Sequence, residues 1–126
     1  MYYSSYWPSR EGLRIGHLNI CHLINKIDDI ANILYNRAHP FHVFGITKSH
    51  LSDLIPDSEL NISGYSLIRR DANVKLENGI IVYVSNSLHY YRKHELENHG
   101  VESVWIEVKL KNVAPLPIGI IYKNLK

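Results

Sequence analysis

The sequence predicts an α/β (α+β) domain built around one mixed sheet, and three observations carry that reading. Apolar residues recur with a helical period in a single stretch, at Leu23, Ile27, Ile30 and Leu34. Elsewhere they gather in short runs or alternate with polar residues, as strands do. The chain has 126 residues, 45% of them apolar and 21% charged, and no Pro-rich, Gly-rich or Ser-rich linker divides it. That is one folded domain, able to bury about two-thirds of its unfolded surface.

The elements follow in order. Residues 13–20 are rich in branched apolar side chains and read as a first strand ending at Asn19 and Ile20. The helical stripe comes next, with Asn25, Lys26, Asp28, Asp29 and Asn32 on its polar face. Pro40 disfavours helical geometry at His39, so the helix ends before it and residues 41–46 form a short strand. The result is a strand, helix, strand unit. Four further strands are expected at residues 65–70, 80–84, 101–110 and 118–122. The run 79–84 is apolar at both parities and belongs at the centre of a sheet, covered on both faces. By contrast Val104, Ile106, Val108 and Leu110 alternate with Ser103, Glu107 and Lys109, leaving one buried face and one mixed face that carries Trp105. Residues 1–12 hold four aromatics without a basic start or a continuous apolar core, and read as a leader outside a domain spanning residues 13–126.

Charge and cysteine narrow the function classes. Lys plus Arg exceed Asp plus Glu by only +2, so any basic site is local rather than global. The lone Cys21 forms no internal disulfide, which sets an intracellular location as the expectation. No apolar run approaches the roughly 20 residues of a membrane helix. Eight histidines invite a metal, and His39 with His42, or His89, His94 and His99, have usable spacings. Yet no pair of tight ligand pairs of the structural zinc kind appears, and scattered histidines are the better reading. No Gly-x-Ser-x-Gly elbow and no Gly-rich phosphate loop is present.

Seven short phrases in a fixed order do stand out. They are Leu13-Arg14-Ile15-Gly16-His17-Leu18-Asn19-Ile20, Asn25-Lys26-Ile27-Asp28, Phe44-Gly45-Ile46-Thr47-Lys48-Ser49-His50-Leu51, and Ile62-Ser63-Gly64-Tyr65 running on to Arg69-Arg70-Asp71. Asn78-Gly79-Ile80-Ile81-Val82-Tyr83-Val84, Glu102-Ser103-Val104-Trp105-Ile106-Glu107 and Ile118-Gly119-Ile120-Ile121-Tyr122 complete the series. Together they resemble the N-terminal half of the endonuclease domain of LINE-type (non-LTR) retrotransposons, a branch of the endonuclease/exonuclease/phosphatase superfamily. The resemblance spans residues 13–122.

It implies half of a four-layer αββα sandwich, with a helix on the outer face of its sheet, and an ancestry in nicking DNA with Mg2+. In that chemistry carboxylates hold the metal, which stabilises in-line displacement at phosphorus, while a His-Asp pair activates water. By resemblance Asn19 takes the place of the active-site Asn, and Tyr122 that of a Tyr near the scissile phosphate. Arg69 and Arg70 fall on a basic pair, and with Lys75 and Lys48 they make a candidate nucleic-acid-binding lip. Lys48, however, stands where the family has its metal-binding Glu, so the carboxylate has become an ammonium. The family also continues beyond this point with an Asp-x-Asn phrase and a terminal Asp-His pair. The expectation is therefore a truncated, degenerate copy that has lost Mg2+ and nicking. The rival expectations are a non-catalytic nucleic-acid-binding or protein-interaction module, and a fragment of a longer reverse-transcriptase-bearing polyprotein. A half sandwich also predicts an uncovered sheet face, with residues 80–84 and 118–122 as its candidates, and hence self-association.

Overall fold

A computed structural model describes residues 12–21, 23–35, 38–72, 78–97 and 100–122. Strand β1 (Ile15–Asn19) leads through a 3-10 turn at Leu23–Lys26 into helix α1 (Ile27–Tyr35), and strand β2 (Val43–Thr47) follows. β1 and β2 pair in parallel, so the strand, helix, strand unit is a true crossover. Asp28 and Asp29 occupy the first turn of α1, where the helix dipole favours acid. Ile30 and Leu34 are fully buried beneath it.

Strands β3 (Tyr65–Arg70) and β4 (Ile80–Ser85) complete a four-stranded mixed sheet in the order β1-β2-β4-β3. β4 lies between two neighbours and is buried along Ile80, Ile81, Val82, Tyr83 and Val84, as its unbroken apolar run requires. The remaining strands, β5 (His89–Arg92), β6 (Glu102–Lys109) and β7 (Leu116–Tyr122), form a second, antiparallel sheet in the order β5-β6-β7. The α+β class is as expected, but the later strands divide between two sheets. Their periodicities are the same in either arrangement; the turn after Ser85, which carries the chain out of the first sheet, makes the difference.

Two cores result. Between the sheets Val43, Ile68, Ile80, Val82 and Val84 meet Val104, Ile106, Val108, Ile118 and Ile120. On the outer side of the first sheet Phe44, Ile46, Ile81 and Tyr83 pack against Leu23, Ile30 and Leu34 of the helical segment and against Leu51, Leu60 and Ile62 of the following loop. Tyr83 is fully buried there; burial pushes its hydroxyl up to about 12, and that hydroxyl donates to the Leu60 carbonyl at 2.7 Å. The close approach of the sheets depends on Gly45, because a Cβ there would come within 2.7 Å of Ile120.

This packing corrects the expected open face for residues 80–84, which are covered on both sides. Of residues 118–122, Ile118 and Ile120 point into the inter-sheet core, while Ile121, 48% accessible, lies with Tyr91, 57% accessible, on the outer side of the second sheet. The leader lies, apart from Gly12, outside the described residues, as do Lys75 and His99.

Candidate functional site

The parallel strands β1 and β2 end side by side, with Asn19 opposite Thr47. Asn19 Oδ1 accepts from Thr47 Oγ1 at 3.3 Å, and His17 Nε2 lies 3.2 Å from the same hydroxyl. Two residues of one parity on β1 are thus tied to the last residue of β2. Beyond Thr47 the backbone turns through two left-handed residues, Lys48 at φ 61° and His50 at φ 56°. Neither is Gly or Asn, and each such conformation costs about 1–2 kcal/mol. The turn is held from both sides: Ser49 N–H donates to the Gly79 carbonyl at 3.2 Å and His50 N–H to that of Asn78 at 2.9 Å. In return Leu23 N–H donates to the Ser49 carbonyl at 3.1 Å.

Gly79 is required at this point. Its φ is +88°, and a Cβ would fall 2.5 Å from Ser49 Oγ. Its N–H and that of Asn78 donate to the Glu102 carboxylate, at 2.6 Å and 3.0 Å. Glu102 pairs in register with Tyr122, so this carboxylate flanks the same end of the fold. The strained turn delivers Lys48 Nζ to 5.8 Å from the centroid of the Tyr122 ring. Ser49 Oγ is buried and makes no hydrogen bond among the described residues. Strain and an unsatisfied buried hydroxyl fall on three consecutive residues, which makes this turn the candidate site.

The structure therefore brings together Asn19, Lys48 and Tyr122, three of the residues singled out in the sequence. It adds His17, Thr47 and Glu102, which the sequence reading passed over although all three lie inside its quoted phrases. It does not place the arginines in this group as a free lip. Arg69 is a clamp: Nε and Nη2 bind Asp71 at 3.0 Å each, Nη1 reaches the Ile55 carbonyl at 2.7 Å and Asp57 at 2.8 Å, and Nη2 also reaches the Ser52 carbonyl at 3.0 Å. Arg70 Nη1 donates to the Ser103 carbonyl at 2.9 Å and joins the sheets. Both guanidinium groups serve the fold.

The donor set at the strand ends comprises an amide, a hydroxyl, an imidazole, an ammonium and a phenol. Its one neighbouring carboxylate is occupied by backbone N–H groups. Mg2+ requires oxygen ligands with carboxylate charge, and these residues do not supply them. An ammonium at 4 Å from a divalent ion would add about 8 kcal/mol of repulsion at an effective dielectric of 20. The arrangement suits an anion: Lys48 provides charge, and the Asn19 amide N–H and the Tyr122 phenol provide directional donors. Of the histidines, His42 is buried and its Nδ1 accepts from Arg14 N–H at 2.9 Å. No protein-family model matches the chain, and no curated protein matches it.

Proposed function

We propose that this chain is a degenerate relative of LINE-type retrotransposon endonuclease domains whose strand-end cluster contacts a nucleic-acid backbone without cutting it. The observation that carries the reading is the placement of Lys48. A left-handed turn, held by hydrogen bonds to Asn78 and Gly79, aims an ammonium across the Tyr122 ring one residue beyond the Asn19–Thr47 pair. The seven ordered phrases and a helix-on-sheet-on-sheet layering, which a four-layer sandwich contains, support the family part of the proposal. The cationic donor set supports the loss of Mg2+ and hence of phosphodiester cleavage.

With Arg69 and Arg70 committed to the fold, Lys48 is the cation that the described part of this cluster offers to phosphates. Binding to duplex DNA is expected at about 10⁻⁴ M, the weak end of non-specific affinities, and without sequence preference. The catalytic test is nicking of supercoiled plasmid. No Mg2+-dependent or Mn2+-dependent nicking is expected from the wild type. Lys48→Glu should not create it, because one carboxylate supplies one ligand and no general base. Metal-dependent nicking that survives stringent purification and disappears in Asn19→Ala would refute the proposal.

A further inference from the structure

We infer that the outer face of the second sheet is the contact surface of a two-fold dimer of this chain, a conclusion independent of the proposed activity. The central strand β6 turns Trp105, Glu107 and Lys109 to that face, since Val104, Ile106 and Val108 occupy the inter-sheet core; Ser103, of the same parity, is buried. Register sets Tyr91 and Pro117 on either side of Glu107, Gly119 beside Trp105 and Ile121 beside Ser103. Two contacts confirm the shared face. Lys109 Nζ lies 5.9 Å from the Tyr91 ring centroid, and the Trp105 ring lies so close over Gly119 that a Cβ there would come within 2.6 Å of it. Only one α-helix occurs among the described residues, and it packs on the far side of the first sheet.

Accessible Tyr91 and Ile121, with the half-buried Trp105 between their positions, give this face an interface composition. Its charge selects the occupant. Glu107 and Lys109 cancel, and the neighbouring Lys93 and Glu95 pair with each other at 3.0 Å. A polyanion meets no net positive field here, whereas a second copy meets its own complement. A two-fold axis across the strands, midway between Glu107 and Lys109, sets each Glu107 opposite the Lys109 of the other copy. The face is small. Three strands about 4.8 Å apart and eight residues of β6 at about 3.4 Å each give roughly 350 Å2, below the ~800 Å2 per partner of a stable complex. The dimer is accordingly weak and reversible.

Sedimentation equilibrium on the full chain between about 1 and 200 µM tests this. The expected result is a monomer–dimer equilibrium that weakens at least tenfold in Glu107→Lys and in Lys109→Glu, each of which sets like charges opposite one another. The double variant, with both charges exchanged, should return to within about threefold of wild type. Ile121→Lys, at a surface position that leaves the core untouched, should remove the dimer while far-ultraviolet circular dichroism stays unchanged. A monomer at 200 µM, open-ended aggregation in place of a dimer, or a dimer indifferent to these changes would overturn the inference. So would quenching of Trp105 fluorescence by a single-stranded oligonucleotide with no dimer present.

Discussion

Arg69→Ala should lower the stability of the fold by about 3–5 kcal/mol, measured by urea unfolding at neutral pH. The guanidinium is the centre of five hydrogen bonds, three of which tie strand β3 to Ser52, Ile55 and Asp57 of the preceding loop and two of which hold Asp71. Its truncation strands the Asp71 carboxylate, whose side chain is only 12% exposed, and leaves the carbonyls of Ser52 and Ile55 without this donor. A charge left unpaired in such surroundings costs far more than the pair contributed. Arg69→Lys should recover only part of the loss, because a single ammonium cannot reproduce the two-pronged contact with Asp71. Asp57 is 71% exposed, and Asp57→Ala should cost under about 1 kcal/mol. If Arg69→Ala proves as mild as Asp57→Ala, the clamp has been misassigned and Arg69 returns to the list of nucleic-acid contacts.

Acidification should act through His42. Burial, with the nearby Arg14 guanidinium adding to it, lowers this imidazole from 6.5 to about 4. Its N–H and carbonyl also join Arg14 and Ser85, so it sits at the entry of β2 where the two strands are pinned. The depressed group is neutral in the fold while the unfolded chain takes up a proton below pH 6.5. Stability is therefore intact above about pH 6.5 and falls as the pH drops toward 4, at about 1.4 kcal/mol per pH unit and by about 3 kcal/mol in total. Unfolding measured at pH 7 and pH 4.5 in the wild type and in His42→Gln isolates the effect from that of the carboxylates. The wild type should lose about 2–3 kcal/mol more than the variant over that interval. Equal losses would mean that His42 takes up its proton in the fold at an ordinary pH.

Which features the sequence disclosed follows from how local their causes are. The crossover unit was legible because the helical stripe from Leu23 to Leu34 and the break at Pro40 are short-range signals. The central place of β4 was legible because an apolar run at both parities has nowhere else to go. Strand β5 was not foreseen: His89, Tyr90, Tyr91 and Arg92 offer no apolar alternation, and only the Tyr90 ring and the Arg92 stem face inward. The division into two sheets escaped for a related reason. It rests on pairs distant in sequence, such as Gly45 beneath Ile120, and neither residue signals the other.

The site shows the same contrast. Asn19, Lys48 and Tyr122 were picked out by resemblance; Lys48 lies over the Tyr122 ring, and Asn19 is bonded to Thr47, the residue before Lys48. The left-handed turn at Lys48 and His50 had no signal, because neither residue favours φ > 0 and the turn is imposed by Gly79 some thirty positions away. Arg69 and Arg70 read as a basic lip for nucleic acid, since a basic dipeptide at a strand end gives no hint of the bonds to Asp71, Asp57 and the Ser103 carbonyl. His42 carried a usable signal: a histidine within the apolar stretch 41–46 must be buried or break the strand.

The site claim is tested most directly by titrating a short DNA duplex into isotopically labelled protein and following the backbone amide signals by nuclear magnetic resonance. Fast-exchange shifts are expected to concentrate at Asn19, Thr47, Lys48, Ser49 and Tyr122, to be lost in Lys48→Gln and to fall severalfold between about 50 and 200 mM salt. Shifts confined to the outer face of the second sheet around Tyr91 and Trp105, or none at millimolar duplex, would contradict it.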